Sequence, residues 1–265
     1  MKWSVCYKKA VSADGTLLFP ERLTKEFLES QRRIMGSYLF ANQYQNEVIP
    51  DDAKVFKDSW LRYYTALPSN TNTFAFIDPA IGQKDTHDYT GIVIVDVDSD
   101  GLWYLRLAKR FRLNPTQIVN LCFEIHNKYK PSCIGVEIVA YQEALLYLLD
   151  ERMRMFNTVL PVKGIKRSGI SKETRILGLV PRFEWGKLLI GQGFTDFEDE
   201  YNSFPRGSHD DLLDALASVD EIVFYPEKQK EKLIEKPNSP TSPDYERWVI
   251  QQYSRNQRGN DQSDF

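Results

Sequence analysis

Apolar residues gather densely from Phe74 onward. The run TFAFIDPA is nearly continuous and halts at Pro79, the pattern of a buried strand ended by proline. GIVIVDVD and LWYLRLAKRF follow, joined by the turn-rich residues 98–101, and predict two antiparallel strands. Asn114 before Pro115 predicts a capped helix running to about Tyr129, with Pro131 as its stop. CIGVEIV reads as a fourth, buried strand, QEALLYLLDERMRMF as a helix with one apolar face, and TVLPVKG as another strand. Ser171 to about Val180 predicts a helix, FEWGKLLIG a small hairpin, and DLLDALASVDEIVF the last helix. Three strands, helix, strand, helix, strand and further helices make an α/β pattern: a mixed central sheet with helices on both faces.

The flanks differ from this middle part. Residues 1–70 read as an N-terminal connector, in which LTKEFLESQRRIMGSYLFANQYQN has helical spacing and Thr24 stands as N-cap. Residues 71–225 form the expected compact domain. Residues 226–265 are polar and rich in Pro, Ser, Asn and Gln, the composition of a disordered or partner-docking tail, with Tyr245, Trp248, Val249 and Ile250 as a short hydrophobic hook.

Composition narrows the chemistry. Hydrophobic residues make up 42% of the 265-residue chain, enough for a real core. No apolar run is long enough to span a membrane, and MKWSVCYKKAV lacks the apolar stretch of a signal peptide. Cys6, Cys122 and Cys133 are odd in number and scattered, which suits a reducing compartment, and His87, His126 and His209 lie too far apart in sequence to suggest structural zinc. The net charge of −3 excludes a wholly basic coat but not a local basic surface. Such a surface is offered by Lys163, Lys166, Arg167, Lys172, Arg175, Arg182 and Lys187, set against only Glu173 and Glu184.

Acidic residues occupy telling places. Asp78 ends the first strand, Glu137 leaves the fourth, and Asp210 and Asp211 open the last helix. Each has a plain alternative: Asp-Pro often marks a turn, and Asp210 or Asp211 can be a helix cap. Glu137 within an apolar strand is harder to dismiss, because buried charges are rare unless paired. Brought together, these acids would concentrate negative charge that a cation relieves. Magnesium favours carboxylate oxygens, and two divalent ions about 3.5–4 Å apart can activate water and stabilise a leaving oxygen in phosphodiester hydrolysis. Asp214 shares the Asp211 helix face, where it can reach the site or pair with a basic side chain. Asp85 and Asp88 lie in the loop after the first strand, and His209 precedes the last helix.

IDPAIGQKDTHDYTGIVIV, GVEIVAYQEALL, SKETRILGLVPRFEWGKLLI and SHDDLLDALA, in that order, resemble the nuclease domain of large terminase subunits, the DNA-packaging motors of tailed double-stranded DNA bacteriophages. The stretch LLFPERLTKEFLESQRRIMGSYLFANQYQNE is similar to the segment that joins the motor's ATPase to its nuclease. The resemblance implies an RNase H-like fold and a magnesium- or manganese-dependent endonuclease, using two ions, that cleaves concatemeric viral DNA. It implies Asp78, Glu137 and Asp211 as catalytic metal ligands with Asp210 beside them, and Asp88 as an accessory acid. Lys172 and Arg175, in SKETR, would contact the DNA backbone, with Lys163, Lys166 and Arg167 nearby. Implied partners are double-stranded DNA, an ATPase domain or subunit, the small terminase subunit and the portal or procapsid, in the host cytoplasm. No G-x-x-x-x-G-K-[ST] occurs; GIKRSGIS at Gly164 has Ile and Ser where Lys and Ser/Thr belong, so ATP hydrolysis is not expected of this chain. Other roles on the same fold are a junction resolvase, a transposase or a non-catalytic DNA- or capsid-docking module.

Overall fold

The computed structural model describes residues 7–47, 54–79, 89–138, 143–166 and 169–227, together with Tyr245, Trp248 and Val249. The chain forms two compact units, Met1–Pro226 and Glu227–Phe265. In the second, the rings of Tyr245 and Trp248 lie 5.8 Å apart.

The first unit is built on a six-stranded sheet of β1 (Thr71–Asp78), β2 (Thr90–Asp98), β3 (Trp103–Phe111), β4 (Cys133–Ile138), β5 (Val162–Lys166) and β6 (Leu188–Ile190), in the order β5-β4-β1-β2-β3-β6. The first three strands form an antiparallel meander, while β4 runs parallel to β1, β5 to β4 and β6 to β3. The turn between β2 and β3 is held by the Asp98 carboxylate, whose Oδ1 accepts from the Asp100 and Leu102 amides at 2.9 Å each. Helices cover both faces, as an RNase H-like mixed sheet requires.

Strand alternation assigns the faces. Ala75 and Ile77 of β1, with Ile92 and Ile94 of β2, pack against α2 (Pro115–Tyr129) and α3 (Glu143–Met155) through Ile118, Val119, Cys122, Leu145 and Leu149. Asn114 and Gln117 close a capping box at the start of α2, as the Asn-Pro pattern predicts. Phe74 and Phe76 face the other way, toward α4 (Lys172–Leu177), α5 (Val180–Glu184), α6 (Thr195–Ser203) and α7 (Asp211–Ser218). Cys122 and Cys133 are free thiols, and burial pushes Cys122 up to about 12.

Three expectations change. FEWGKLLIG is no hairpin: residues through Glu184 complete α5, and Leu188–Ile190 alone enters the sheet, paired with Trp103–Leu105 of β3 on one side and bonded to Arg62 and Tyr64 on the other. The helix expected from Ser171 to Val180 is two short helices, parted at Gly178 and Leu179. The last helix ends at Ser218 and tightens into a 3-10 turn over Val219–Glu221.

The N-terminal helix, α1 (Lys25–Tyr44), is capped by Thr24 and packs on α5. It breaks at Gly36 (φ 76°), where the Ser37 amide donates to Glu184 Oε2 at 2.7 Å; only glycine tolerates that backbone readily. Val55 and Phe56, before β1, are fully buried among Phe183, Tyr201 and Phe204. Phe183 contacts Phe56, Tyr201 and Phe197, so it ties α5, α6 and the segment before β1 together. Phe183→Ala is expected to cost about 3–5 kcal/mol and to lower Tm by roughly 10 °C in thermal melts. A shift of only a degree or two would mean this aromatic group is not the keystone of that face.

Candidate active site

Two acids stand side by side at the C-terminal end of β1. Ile77 pairs with Val136, so Asp78 and Glu137 are the next residues on neighbouring parallel strands, whose backbones run about 4.8 Å apart. Both point to the α7 face. Asp78 follows Phe74 and Phe76 by strand alternation, and Glu137 pairs with Ile165, which packs there too. Asp78 and Glu137 are half-buried.

The third acid arrives from α7. Asp78 pairs across the sheet with Gly91. A Cβ on Gly91 would stand 2.7 Å from the Asp211 carbonyl oxygen. The first turn of α7 therefore sits directly on the strand beside Asp78, which brings the backbone of Asp211 to the end of the sheet that carries Asp78 and Glu137. A larger residue at 91 would push the helix off.

Neither aspartate at this helix start acts as its cap. Asp210, the N-cap residue, makes no side-chain cap bond. Glu200 of α6 does that work: its Oε2 accepts from the Leu212 and Leu213 amides at 2.8 and 3.2 Å, and its Oε1 accepts from Arg110 Nη1 at 3.3 Å. Glu200 is 2% exposed. Burial pushes its pKa up to about 7, while the two amides and Arg110 pull the other way. Sequence reasoning missed Glu200. Its signal was a charged residue between Phe197 and Tyr201 on the apolar side of an amphipathic helix.

Asp210 and Asp211 instead share Lys172, whose Nζ lies 2.6 Å from Asp210 Oδ1 and 3.1 Å from Asp211 Oδ1. Burial disfavours the ammonium, but the hydrogen bonds and charges of the two aspartates outweigh it and hold its pKa above the ordinary value. His209 Nδ1 is 3.9 Å from Asp211 Oδ2. Asp214 and Arg175 form a two-pronged pair, with Arg175 Nε and Nη2 donating at 3.0 and 2.8 Å; the side chains are 3% and 16% exposed. Asp214 thus meets the second of its two expected fates, pairing with a basic side chain. Lys163 Nζ donates to the Glu221 carbonyl at 3.0 Å, and Lys166 ends β5. Asp85, Asp88 and Arg167 lie outside the described residues.

Among the described residues no group of three His, Cys, Asp or Glu side chains is closed around a common metal position. The donor set nevertheless suits a hard divalent ion: carboxylate oxygens on two strand ends and a helix start. A single ammonium already bridges two of those carboxylates.

A family model described as the terminase RNaseH-like domain matches residues 75–219, more than half of the chain. Among solved structures, the large terminase of a thermophilic bacteriophage matches with a TM-score of 0.54 and 12% identity, covering 77% of this chain and 53% of that one. The chain thus spans about half the length of that protein. The human cytomegalovirus terminase nuclease domain gives a TM-score of 0.46 and 14% identity over 63% of this chain and 94% of that one. The large terminase nuclease from thermophilic phage G20c, with bound cobalt, gives 0.46 and 16% over 63% and 96%. Identities this low speak to the fold alone. No curated protein matches the sequence.

Two outcomes follow from the geometry. Gly91→Ala must displace the start of α7 and is expected to destabilise by about 1–3 kcal/mol in denaturant melts; an unchanged midpoint would contradict the close seating of α7. Glu200, with its folded-state pKa raised from 4.5 to about 7, keeps a proton that the unfolded chain has already released. Its contribution to stability therefore falls as pH rises through that window. Glu200→Gln keeps an acceptor for the amides but cannot titrate, so its Tm should gain on the parent between those pH values. A constant difference would show that Glu200 titrates normally.

Proposed function

Because this chain belongs to the terminase RNaseH-like domain family, we propose that it is a divalent-metal-dependent endodeoxyribonuclease that cuts concatemeric viral DNA during genome packaging. The observation that carries this reading is the seating of Asp211 against Gly91, the cross-strand partner of Asp78, with Glu137 on the next strand. The phage G20c nuclease is described with bound cobalt and with bound magnesium.

Asp78 and Glu137 would hold the ions from the sheet, and Asp211 with Asp210 from the helix. Bound magnesium or manganese supplies a low-pKa water and charge relief at the leaving oxygen. The chain does the positioning. Strand ends fix two carboxylates, and the Glu200 cap fixes the helix that carries the third, which leaves Asp210 and Asp211 available to a cation. Lys172 keeps its proton and neutralises the aspartates. Were those aspartates to hold a metal, the Lys172 ammonium beside them would have a scissile phosphate as its natural counter-charge. The Arg175–Asp214 pair anchors α4, and hence Lys172, to α7.

In this role the chain works with an ATPase domain or subunit, the small terminase subunit and the portal or procapsid, in the host cytoplasm. No helix among the described residues is long and apolar enough to cross a membrane.

Incubation with plasmid and manganese should give nicked and linear products with little sequence preference. Asp78→Asn should lower the rate to about 1% or less while the melting curve stays intact. Full activity in that variant would remove the proposed site. A strong preference for four-way junctions would move the activity to the resolvase class.

A further inference from the structure

The end of the sheet that carries the acids carries cations on both sides. β1, β3, β4 and β5 all reach it with their C-termini, and β2 starts there. Across that end the register lines up Ile165 (β5), Glu137 (β4), Asp78 (β1), Gly91 (β2) and Arg110 (β3), and Lys166 closes β5 one residue further on. Four strand spacings separate the first from the last, about 19 Å, the length of roughly five to six base-pair steps.

The β3 side holds a compact group outside the acid cluster. The Tyr89 ring lies under two guanidiniums, with Arg112 Cζ 4.7 Å and Arg110 Cζ 5.3 Å from its centroid. Arg112 Nη2 also donates to the Tyr89 hydroxyl at 3.1 Å. His209 meets the ring edge to face at 5.5 Å and so links the group to the start of α7. The two arginines differ in their commitments. Arg110 is taken by Glu200 and Asp196. Arg112 is exposed and, among the described residues, pairs with no carboxylate. The ring and hydroxyl of Tyr89 fix its planar fork, yet most of its five donors remain available. A guanidinium held in place with no carboxylate partner among the described residues, at the mouth of an acidic site, is suited to an anion that must pass that site.

We propose that Arg112, braced by Tyr89, is a phosphate clamp that holds the DNA backbone on the β3 side of the acid cluster, opposite Lys166 and Lys172. The inference rests on the nuclease reading and adds the path of the DNA: across the sheet end, from β5 over the acids to Arg112. Held on both sides, the backbone is presented to the carboxylates at a fixed height although their charge repels it.

The test is equilibrium binding of the full chain to a labelled duplex of mixed sequence, by anisotropy in chelator so that nothing is cut, from about 50 to 200 mM salt. Arg112→Ala should weaken binding about 3- to 10-fold and reduce the slope of log K against log salt by about one. Arg112→Lys, which keeps the charge, should keep the slope. Lys128→Ala is the control. Lys128 is exposed at the end of α2, at the opposite end of the sheet, and its removal should change neither quantity. Affinity and slope unchanged in Arg112→Ala, or an equal loss in Lys128→Ala, would overturn the clamp alone. A parent protein with no salt-dependent DNA affinity would overturn both the clamp and the nuclease reading.

Discussion

The seating of one short helix end on one glycine governs the rest of the site. α7 reaches β2 at Gly91 because no side chain stands between them, and Gly91 is the cross-strand neighbour of Asp78. Eight residues of helix would be a weak platform alone, since short helices draw their stability from packing. Here Leu212, Leu213, Ala215 and Leu216 are fully buried against the sheet, and Glu200 satisfies two amides of the first turn. Apolar burial holds the helix, a buried carboxylate ends it, and its half-buried first residues are left to carry charge.

That division of labour sets the electrostatics. Crowded carboxylates repel one another, and burial removes the water that would screen them. The fold answers with cations from other elements: Lys172 for Asp210 and Asp211, Arg175 for Asp214, and Arg110 for Glu200. The Arg175 and Arg110 pairs are largely buried and fix the scaffold. The Lys172 pair is about one-third exposed, and it is the one at the mouth of the site. An ammonium can leave two carboxylates for a phosphate without unfolding anything, whereas breaking the Arg175–Asp214 fork would strand a buried charge.

Much of this was legible in the residues. β1 announces itself as an apolar run that stops at an acid, β4 as an apolar run with one acid inside it, α2 by its Asn-Pro start, and α7 by apolar residues after paired aspartates. The family resemblance rested on the segments of β1, β4 and α7, with SKETRILGLVPRFEWGKLLI between them. What was hidden depends on contacts between residues far apart. β6 is three residues long, and nothing local distinguishes Leu188–Ile190 from half of a hairpin until β3 offers an edge. Glu200 looks like one more acid in TDFEDEYNS, and its role appears only when α7 docks over it. Tyr89 precedes β2 and Arg112 follows β3, so they meet only once the register of that strand pair is set.

The most direct test of the central claim is a crystal structure of the full chain soaked in manganese, with ions located by anomalous scattering. The account predicts manganese between the carboxylates of Asp78, Glu137 and Asp211, with the Lys172 ammonium withdrawn from Asp211. Manganese bound elsewhere, or an Asp211–Lys172 contact unchanged with no ion at the sheet end, would contradict it.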